Sequence, residues 1–122
     1  MSDRQLLEAA AKTATLDVFW AAPGVYYLVD PGRDKAVRDK ALWRIWRIWN
    51  PLKDDGDAFR LMNRLHISID ARITSVAASR YDAIAGTTFT VDERYIGESD
   101  DGTALRRAIV MVAAINGANY VL

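Results

Sequence analysis

The sequence contains no cysteine, and this absence removes several kinds of chemistry together. A disulfide framework, a thiolate metal site, an iron–sulfur cluster and a cysteine nucleophile all need that residue. Net charge is absent too, because 16 Lys and Arg residues balance 16 Asp and Glu residues, so general attraction to nucleic acid or anionic membrane is not expected. No apolar run reaches the roughly 18 residues of a membrane span, and the first residues do not resemble a secretory signal. We therefore predict no membrane partner and a cytoplasmic location.

The remaining composition is that of a folded domain. The 122 residues are 51% hydrophobic and 26% charged, which is typical of globular proteins. Only three prolines are present, and no Gly-rich or Ser-rich stretch interrupts the chain as a linker would. These features predict that residues 1–122 form a single domain.

Capping signals predict the first two helices. Ser2 and Gln5 have the spacing of a capping box, followed by apolar residues on one face, which predicts a helix over Asp3–Thr13. Residues 54–57 supply acidic cap and first-turn residues for a second, shorter helix. The apolar face of that helix consists of Ala58, Leu61, Met62 and Leu65.

The last helix is predicted over residues 104–115. Residues 99–102 give its start signal, and Asn116-Gly117 is expected to end it. Its run 108–112 is apolar on more than one side, which indicates burial by a second element or by a second subunit. Residues 54–60 and 100–106 share the pattern D-D-G-x-A-x-R, which we interpret as two helix starts of the same design.

Strand patterns account for most of the rest. Residues 16–22 and 25–30 are rich in β-branched and aromatic residues and flank Pro23-Gly24, which predicts a hairpin. Ile67, Ile69, Ala71 and Ile73 alternate with polar residues, which predicts a strand with one exposed face. Further strands are expected at 74–78 and 87–95, connected around Arg80-Tyr81-Asp82. The predicted class is α+β, a small and mostly antiparallel sheet with helices on both faces, in the order α-β-β-α-α-β-β-β-α.

Residues 41–49 are the compositional outlier, because they hold three of the four tryptophans. The spacing of three places these tryptophans on one side of a helix and Arg44 and Arg47 opposite, so a helix over 34–48 is favoured. A strand is the alternative, since Trp and Ile favour sheets, and it would place Arg47 on the same face as Trp43 and Trp49.

Burial in the core is the structural interpretation of this segment, because large apolar residues are mostly buried. Three functional interpretations are open beside it. Aromatic rings beside guanidinium groups can stack nucleic-acid bases and contact phosphates, they can form a protein hot spot, or they can lie at a membrane interface. Asp34 and Asp39 weaken the membrane interpretation, because they reduce the basic charge.

Catalytic signals are weak in this sequence. His66 is the only histidine and is expected at the junction of a helix and a strand, where a backbone hydrogen bond explains it better than catalysis. Asp54, Asp55 and Asp57 lack the closing glutamate of a calcium loop, so capping explains them. Phosphate-binding patterns of the GxxxxGK[ST] or GxGxxG type do not occur. We therefore predict a protein that is not an enzyme and holds neither metal nor cofactor.

Three blocks of the sequence resemble a known group of proteins. The blocks are W-N-P-L-K-D-D-G-D-A-F-R-L-M at 49–62, A-L-R-R-A-I-V at 104–110 and L-L-E-A-A-A-K at 6–12. They are similar to small bacteriophage proteins of the phage ABA-sandwich or NinX-like kind. The resemblance implies a phage or prophage gene and a compact sheet with helices on both sides. Residues 32–48 depart from that pattern by being longer and more charged.

The resemblance implies little about activity. A small phage protein without catalytic residues commonly acts by binding, so we expect an accessory protein in the host cytoplasm that inhibits a host defence or regulatory protein, comparable to an anti-CRISPR protein. One alternative is a binder that sequesters a small nucleotide or signalling ligand, and another is a DNA-binding accessory protein. A homo-oligomer could form through the Trp-rich segment or the last helix. The candidate binding residues are Trp43, Arg44, Trp46, Arg47, Trp49, Arg106 and Arg107.

Overall fold

A computed structural model describes residues 2–21, 25–28, 47–97 and 100–115. In chain order its elements are α1 (Asp3–Thr13), β1 (Val18–Ala21), β2 (Val25–Leu28), β3 (Arg47–Trp49), α2 (Asp55–Arg64), β4 (Ser68–Ala71), β5 (Ser75–Asp82), β6 (Thr87–Arg94) and α3 (Thr103–Ala114). The strands form two antiparallel sheets with the orders β1-β2-β3 and β4-β5-β6. The predicted α+β class is confirmed, and the order of the described elements agrees roughly with the prediction, with β3 at the end of the segment predicted as a helix.

Helix α1 has the predicted bounds, because both of its ends are determined locally. The Ser2 hydroxyl accepts a hydrogen bond from the Gln5 backbone N–H, and the Gln5 side chain accepts one from the Ser2 N–H, so the capping box is confirmed. After the helix, Thr15 adopts a left-handed conformation with φ of 53°. This turn lets the Leu16 N–H donate to the Ala11 carbonyl at 2.9 Å and closes the helix C-terminus.

Helix α2 starts and ends in a comparable way. Asp54 is its N-cap, and its carboxylate accepts from the Asp57 N–H at 2.8 Å. At the other end His66 has φ of 53°, and the Ile67 N–H donates to the Met62 carbonyl at 2.9 Å. Helices α1 and α2 are therefore both followed by a residue in the left-handed conformation, and in both cases this residue is not the glycine that the conformation favours.

The C-termini of α1 and α2 are joined by Arg64. Its guanidinium donates to the Ala14 carbonyl and, at 3.2 Å, to the Thr15 hydroxyl. A cation at a helix C-terminus interacts favourably with the free carbonyls of the last turn. One arginine thus positions α2 against the end of α1.

The start of α3 differs from the start of α2 although the two sequences match. The N-cap of α3 is Gly102 with φ of 97°, whereas the cap of α2 is the first Asp of the shared pattern. Asp100 accepts hydrogen bonds from the backbone N–H groups of Ile96 at 2.9 Å and Gly102 at 3.0 Å. The hydrogen bond from Ile96 is the largest contribution that lowers the pKa of Asp100 below its ordinary value of 3.8. The same pattern therefore begins two helices in different registers.

The end of α3 also comes earlier than predicted. The helix stops at Ala114, and Ile115 is extended, while Asn116 and Gly117 lie outside the described residues. The guanidinium of Arg80 donates to the Val112 carbonyl at 2.9 Å and to the Ile115 carbonyl. These two bonds satisfy carbonyls at the C-terminus of the helix, a function that the sequence pattern assigned to Asn116-Gly117.

The first sheet corrects part of the helix predicted over 34–48. Arg47 and Ile48 belong to β3, which pairs with β2 in the register Leu28 with Arg47 and Tyr27 with Ile48. The prediction is wrong for these two residues because strand pairing supplies their backbone hydrogen bonds, and because Trp and Ile fit sheets well. Residues 34–46 and the predicted turn at Pro23-Gly24 lie outside the described residues.

The second sheet is the predicted meander with different strand ends. Arg80-Tyr81-Asp82 was expected to connect strands but belongs to β5, because the Asp82 carboxylate accepts from the N–H groups of Ile84 and Ala85 and so starts the turn only there. At the other end β4 stops at Ala71. Ile73, predicted on the inner face, is 96% exposed because it lies in the turn between β4 and β5.

The core lies where α3 is enclosed by the rest of the chain. Helix α3 contacts β5 and β6 on one side, and α1 and α2 cover its other sides. Both apolar sides of α3 are thereby buried within the chain. Of the two predicted explanations, burial by a second element is therefore the one observed, and a second subunit is not needed. More than half of the clustered core residues are alanines, whose small side chains let helices approach closely.

The layering differs from the predicted sandwich. The face of the second sheet opposite α3 presents Tyr81, Thr88, Thr90 and Arg94 to solvent. Within the described ranges the helices therefore cover one face of this sheet, where helices on both faces were expected. None of the helices in these ranges has the length and apolar character needed to cross a membrane.

Candidate functional site

The predicted tryptophan site is only partly within the described residues. Trp43, Arg44 and Trp46 lie outside them, and Arg47 is described through its backbone alone, as the first residue of β3. Trp49 is 2% exposed and belongs to the core. Its neighbour Ile48 is 55% exposed, as alternation along a strand requires. The structural interpretation is therefore the right one for Trp49, which cannot contact a ligand in this conformation.

Arg106 holds two distant parts of the chain together. Its guanidinium donates to the Leu52 carbonyl at 3.0 Å, to Asp55 at 2.7 Å and to the Asp101 carbonyl at 3.1 Å. The side chain is only 12% exposed. These bonds occupy the Nε and Nη1 donors, so a phosphate could not be bound through two nitrogens of the guanidinium without displacing one of them. They also connect the two sequence blocks of the phage resemblance, because Leu52 and Asp55 belong to the first block and Arg106 to the second.

The first block is stabilised internally by Asp57. This carboxylate is 3% exposed and accepts from the Asn50 backbone N–H at 2.9 Å and from Arg60 at 2.8 Å. The Asn50 side chain in turn accepts from the Leu52 N–H at 3.1 Å. The acids at 54 and 57, which lie in the segment that resembles a metal loop, thus serve as a cap and as a hydrogen-bond acceptor. Among the described residues, no three His, Asp or Glu side chains are grouped closely enough to hold a metal ion.

Arg107 is more accessible than its neighbour. Its side chain is 42% exposed and lies 3.8 Å from Asp3 and 3.6 Å from Glu93. Both separations are longer than a hydrogen bond, so these are weak ion pairs at the surface. Arg106 and Arg107 point to different sides of α3, and the structure does not bring Arg107 into one site with Trp49 or Arg106.

The site that sequence reasoning missed is a groove between α1 and β1. It has a volume of about 380 Å³. One wall consists of side chains on successive turns of α1, and the other of the residues that lead into β1. The residues that define its chemistry are Arg4, Glu8, Lys12, Asp17, Val18 and Trp20.

The centre of the groove is the pair of Arg4 and Trp20. The Arg4 guanidinium lies over the indole ring, 4.5 Å from its centroid. Glu8, one turn further along α1, accepts a hydrogen bond from Arg4 Nε at 3.2 Å and so orients the guanidinium plane. Trp20 remains 38% exposed. A cation–π contact of this kind holds a large aromatic side chain in place at the surface.

The charges of the groove are balanced. Arg4 and Lys12 are cations, and Glu8 and Asp17 are carboxylates. Arg4 and Glu8 compensate each other directly, whereas Lys12 is exposed and forms no ion pair with the described residues. The groove therefore offers a partner one available ammonium group beside a partly exposed indole ring.

A weak sequence signal for this groove did exist. Trp20 is the one tryptophan outside the Trp-rich segment, and Arg4, Glu8 and Lys12 recur at four-residue spacing on the predicted first helix. Their meeting could not be inferred, because the direction in which the chain leaves α1 depends on the left-handed turn at Thr15.

The sole histidine lies away from this groove's lining. His66 follows α2 in the left-handed conformation, and its backbone N–H approaches the Asn63 carbonyl at 3.4 Å. His66 therefore lies at the predicted junction between a helix and a strand.

Comparison of the chain with protein-family models, with curated proteins and with solved structures gives no match. The functional proposal therefore rests on the residues of the groove.

Proposed function

We propose that this chain is a phage-type accessory protein that acts without catalysis, by binding a host protein and blocking it. The binding surface of this proposal is the groove between α1 and β1. The phage origin is supported by the resemblance of residues 49–62 and 104–110, and the groove is supported by its own geometry.

The observation that carries the proposal is the exposed indole of Trp20 with the Arg4 guanidinium 4.5 Å above it. Tryptophan and arginine are the residues most enriched where binding energy concentrates in protein interfaces. A fixed ring loses little side-chain entropy when a partner covers it, so its burial contributes more fully to affinity. Lys12 beside it favours a partner segment in which an acidic residue adjoins an apolar one.

The balance of charge separates this proposal from nucleotide binding. Arg106 has its donors engaged by the chain itself, and the groove's two cations stand beside two carboxylates. A phosphate group is bound best where cations or N–H groups outnumber acids. A protein segment with both charged and apolar groups fits the groove better than a polyphosphate does.

The test compares variants at two exposed aromatic residues. Equal amounts of the wild-type chain, Trp20→Ala and Tyr81→Ala are immobilised on resin and incubated with lysates of bacterial hosts. Proteins retained by the wild type are identified and purified, and the Kd of each for the wild type and for both variants is measured by titration. Tyr81 is the matched control, because it is 65% exposed on β5 and does not line the groove. We expect a host protein whose Kd weakens at least tenfold for Trp20→Ala and stays within twofold for Tyr81→Ala.

A second pair of variants tests the proposal without relying on whether Trp20→Ala still folds. Lys12→Glu reverses the available ammonium group, and Lys53→Glu makes the same change at an exposed position outside the groove. Weaker binding by the first variant alone supports the proposal. Equal Kd values for all variants would refute it, and so would a nucleotide that raises the Tm of the wild type but not of Lys12→Glu.

A further inference from the structure

The outer edge of β6 is an open strand edge. This strand pairs with β5 without interruption over eight residue pairs, from Ser75 with Arg94 to Asp82 with Thr87. Within the described ranges no strand pairs with its other side. An open edge presents unpaired backbone N–H and C=O groups, and proteins usually protect such an edge.

The usual protection is missing from most of this strand. Residues 87–91 contain neither a proline nor a charge, and the unbroken pairing with β5 contains no bulge. They are rich in β-branched residues, which favour strand pairing. Charged residues occur only at the end of the strand, at 92–94. The charges at 92–94 do not protect the uncharged residues 87–91, which can pair with another strand.

The backbone groups that point outward can be assigned. The Tyr95 N–H donates to the Thr74 carbonyl at 3.1 Å. These two residues lie opposite each other one step beyond the Ser75–Arg94 pair, so Thr74 and Tyr95 form a hydrogen-bonded pair and Ser75 and Arg94 form a non-hydrogen-bonded one. Hydrogen-bonded and non-bonded pairs alternate in an antiparallel ladder. The residues of β6 whose N–H and C=O groups face the open edge are therefore Thr88, Thr90, Asp92 and Arg94.

We infer that a second copy of this chain pairs with β6 through an antiparallel, two-fold symmetric contact centred on Thr90. Thr90 then faces Thr90 of the partner subunit, and Thr88 faces Asp92 of the partner subunit. All of these residues carry outward N–H and C=O groups, so their backbones can exchange hydrogen bonds in both directions. The three strands of each copy become one continuous sheet of twice that number.

The side chains favour this register over its neighbours. It sets Phe89 against Val91 of the partner subunit, an aromatic and β-branched pair whose members are both half-buried on the core side. It sets no like charges opposite each other. A shift that centres the contact on Val91 instead places Phe89 opposite Glu93, and a centre on Asp92 places two carboxylates together.

Two exposed apolar residues at the ends of the strand agree with the same centre. Ile84 is 84% exposed just before β6, and Ile96 is 65% exposed just after it. Each lies six residues from Thr90, in opposite directions. Antiparallel pairing about Thr90 therefore brings the turn that carries Ile84 in one copy to the same end of the contact as Ile96 of the partner subunit, and the same holds at the other end.

Cysteine crosslinking tests the register directly, because the chain has no cysteine of its own. In this register the two Thr90 Cα atoms lie about 5.5 Å apart, within the range of a disulfide. Thr90→Cys is therefore expected to form an oxidised dimer. Thr88→Cys is the matched control, because the two Thr88 positions lie about 13 Å apart, four strand residues from each other. The double variant Thr88→Cys with Asp92→Cys is expected to crosslink again.

A measurement without crosslinking accompanies this test. Light scattering after size-exclusion chromatography of the wild type is expected to give the mass of two chains, and Thr90→Lys, which places two ammonium groups opposite each other at a solvent-exposed position, is expected to give the mass of one. A wild type that stays monomeric up to high micromolar concentration overturns the inference. Crosslinking of Thr88→Cys as complete as that of Thr90→Cys overturns it as well. Neither measurement requires a host protein, so their outcome is independent of the function proposed for the groove.

Discussion

The neighbouring residues Arg106 and Arg107 provide a direct test of how this fold is held together. We expect Arg106→Met to destabilise the protein strongly and Arg107→Met to leave its stability nearly unchanged. Both substitutions remove a guanidinium and keep a long apolar side chain on the same helix. The difference between them therefore reports what each guanidinium contacts, rather than helix propensity, which is similar for Arg and Met.

The magnitude follows from the partners. A hydrogen bond from a charged donor such as the one at 3.0 Å from Arg106 to the Leu52 carbonyl contributes about 1.5–3 kcal/mol, and its loss leaves that partly buried carbonyl without a partner. The Asp55 carboxylate is 84% exposed, so its pair with Arg106 adds only about 0–1 kcal/mol. We expect a total loss of about 2–3 kcal/mol for Arg106→Met. The ion pairs of Arg107 are longer and exposed, which gives about 0–1 kcal/mol.

Urea unfolding followed by far-UV circular dichroism measures both values, provided that the slope of the transition is the same in all three proteins. A loss of about 2 kcal/mol corresponds to a roughly 30-fold smaller folding equilibrium constant, well above the error of the method. The reasoning is refuted if Arg106→Met and Arg107→Met unfold at the same urea concentration. It is refuted equally if the Arg107 variant is the less stable one.

Three further predictions concern backbone strain, a buried acid and pH. Replacing His66, an exposed residue at φ of 53°, with glycine should stabilise the protein by about 0.5–1 kcal/mol in urea unfolding, because glycine adopts this conformation without steric cost; any loss of stability would contradict this. Asp57→Ala should cost about 2–3 kcal/mol, because it removes a buried carboxylate and leaves the partly buried Asn50 N–H without its acceptor. The exposed cap variant Asp54→Ala should cost about 1 kcal/mol, and equal losses would contradict the assigned roles. The pKa of Asp100 is lower in the folded protein than its ordinary value of 3.8, so its ionised carboxylate stabilises the fold above about pH 4. That stabilisation is lost as the pH falls through the lower pKa of the folded protein. In pH-dependent thermal unfolding, Asp100→Asn should therefore lose stability less steeply than the wild type below about pH 4.

Elements determined by local chemistry were predictable from the sequence, and elements determined by distant contacts were not. The capping box at Ser2 and Gln5 fixed the start of α1, because both partners lie within one turn. The end of α3 was misplaced because Arg80, from another strand, satisfies its last carbonyls. The same reason applies to the candidate site, since the stacking of Arg4 on Trp20 joins a helix and a strand whose relative placement no local pattern contains.

Charged residues in the two blocks that resemble phage proteins contribute to the fold, and this bears on where a partner is proposed to bind. Asp54, Asp57 and Arg106 belong to the blocks that carry the phage resemblance, and each is engaged by backbone groups or by an oppositely charged side chain. A residue that satisfies buried partners cannot also bind a ligand without leaving them unpaired. The proposed binding surface therefore consists of side chains outside those contacts, such as Trp20 and Lys12. The side chains of Trp20 and Lys12 take no part in the hydrogen bonds given above for Asp54, Asp57 and Arg106, so on the proposed function a chain with the same framework can change them and acquire a different partner while its fold is preserved.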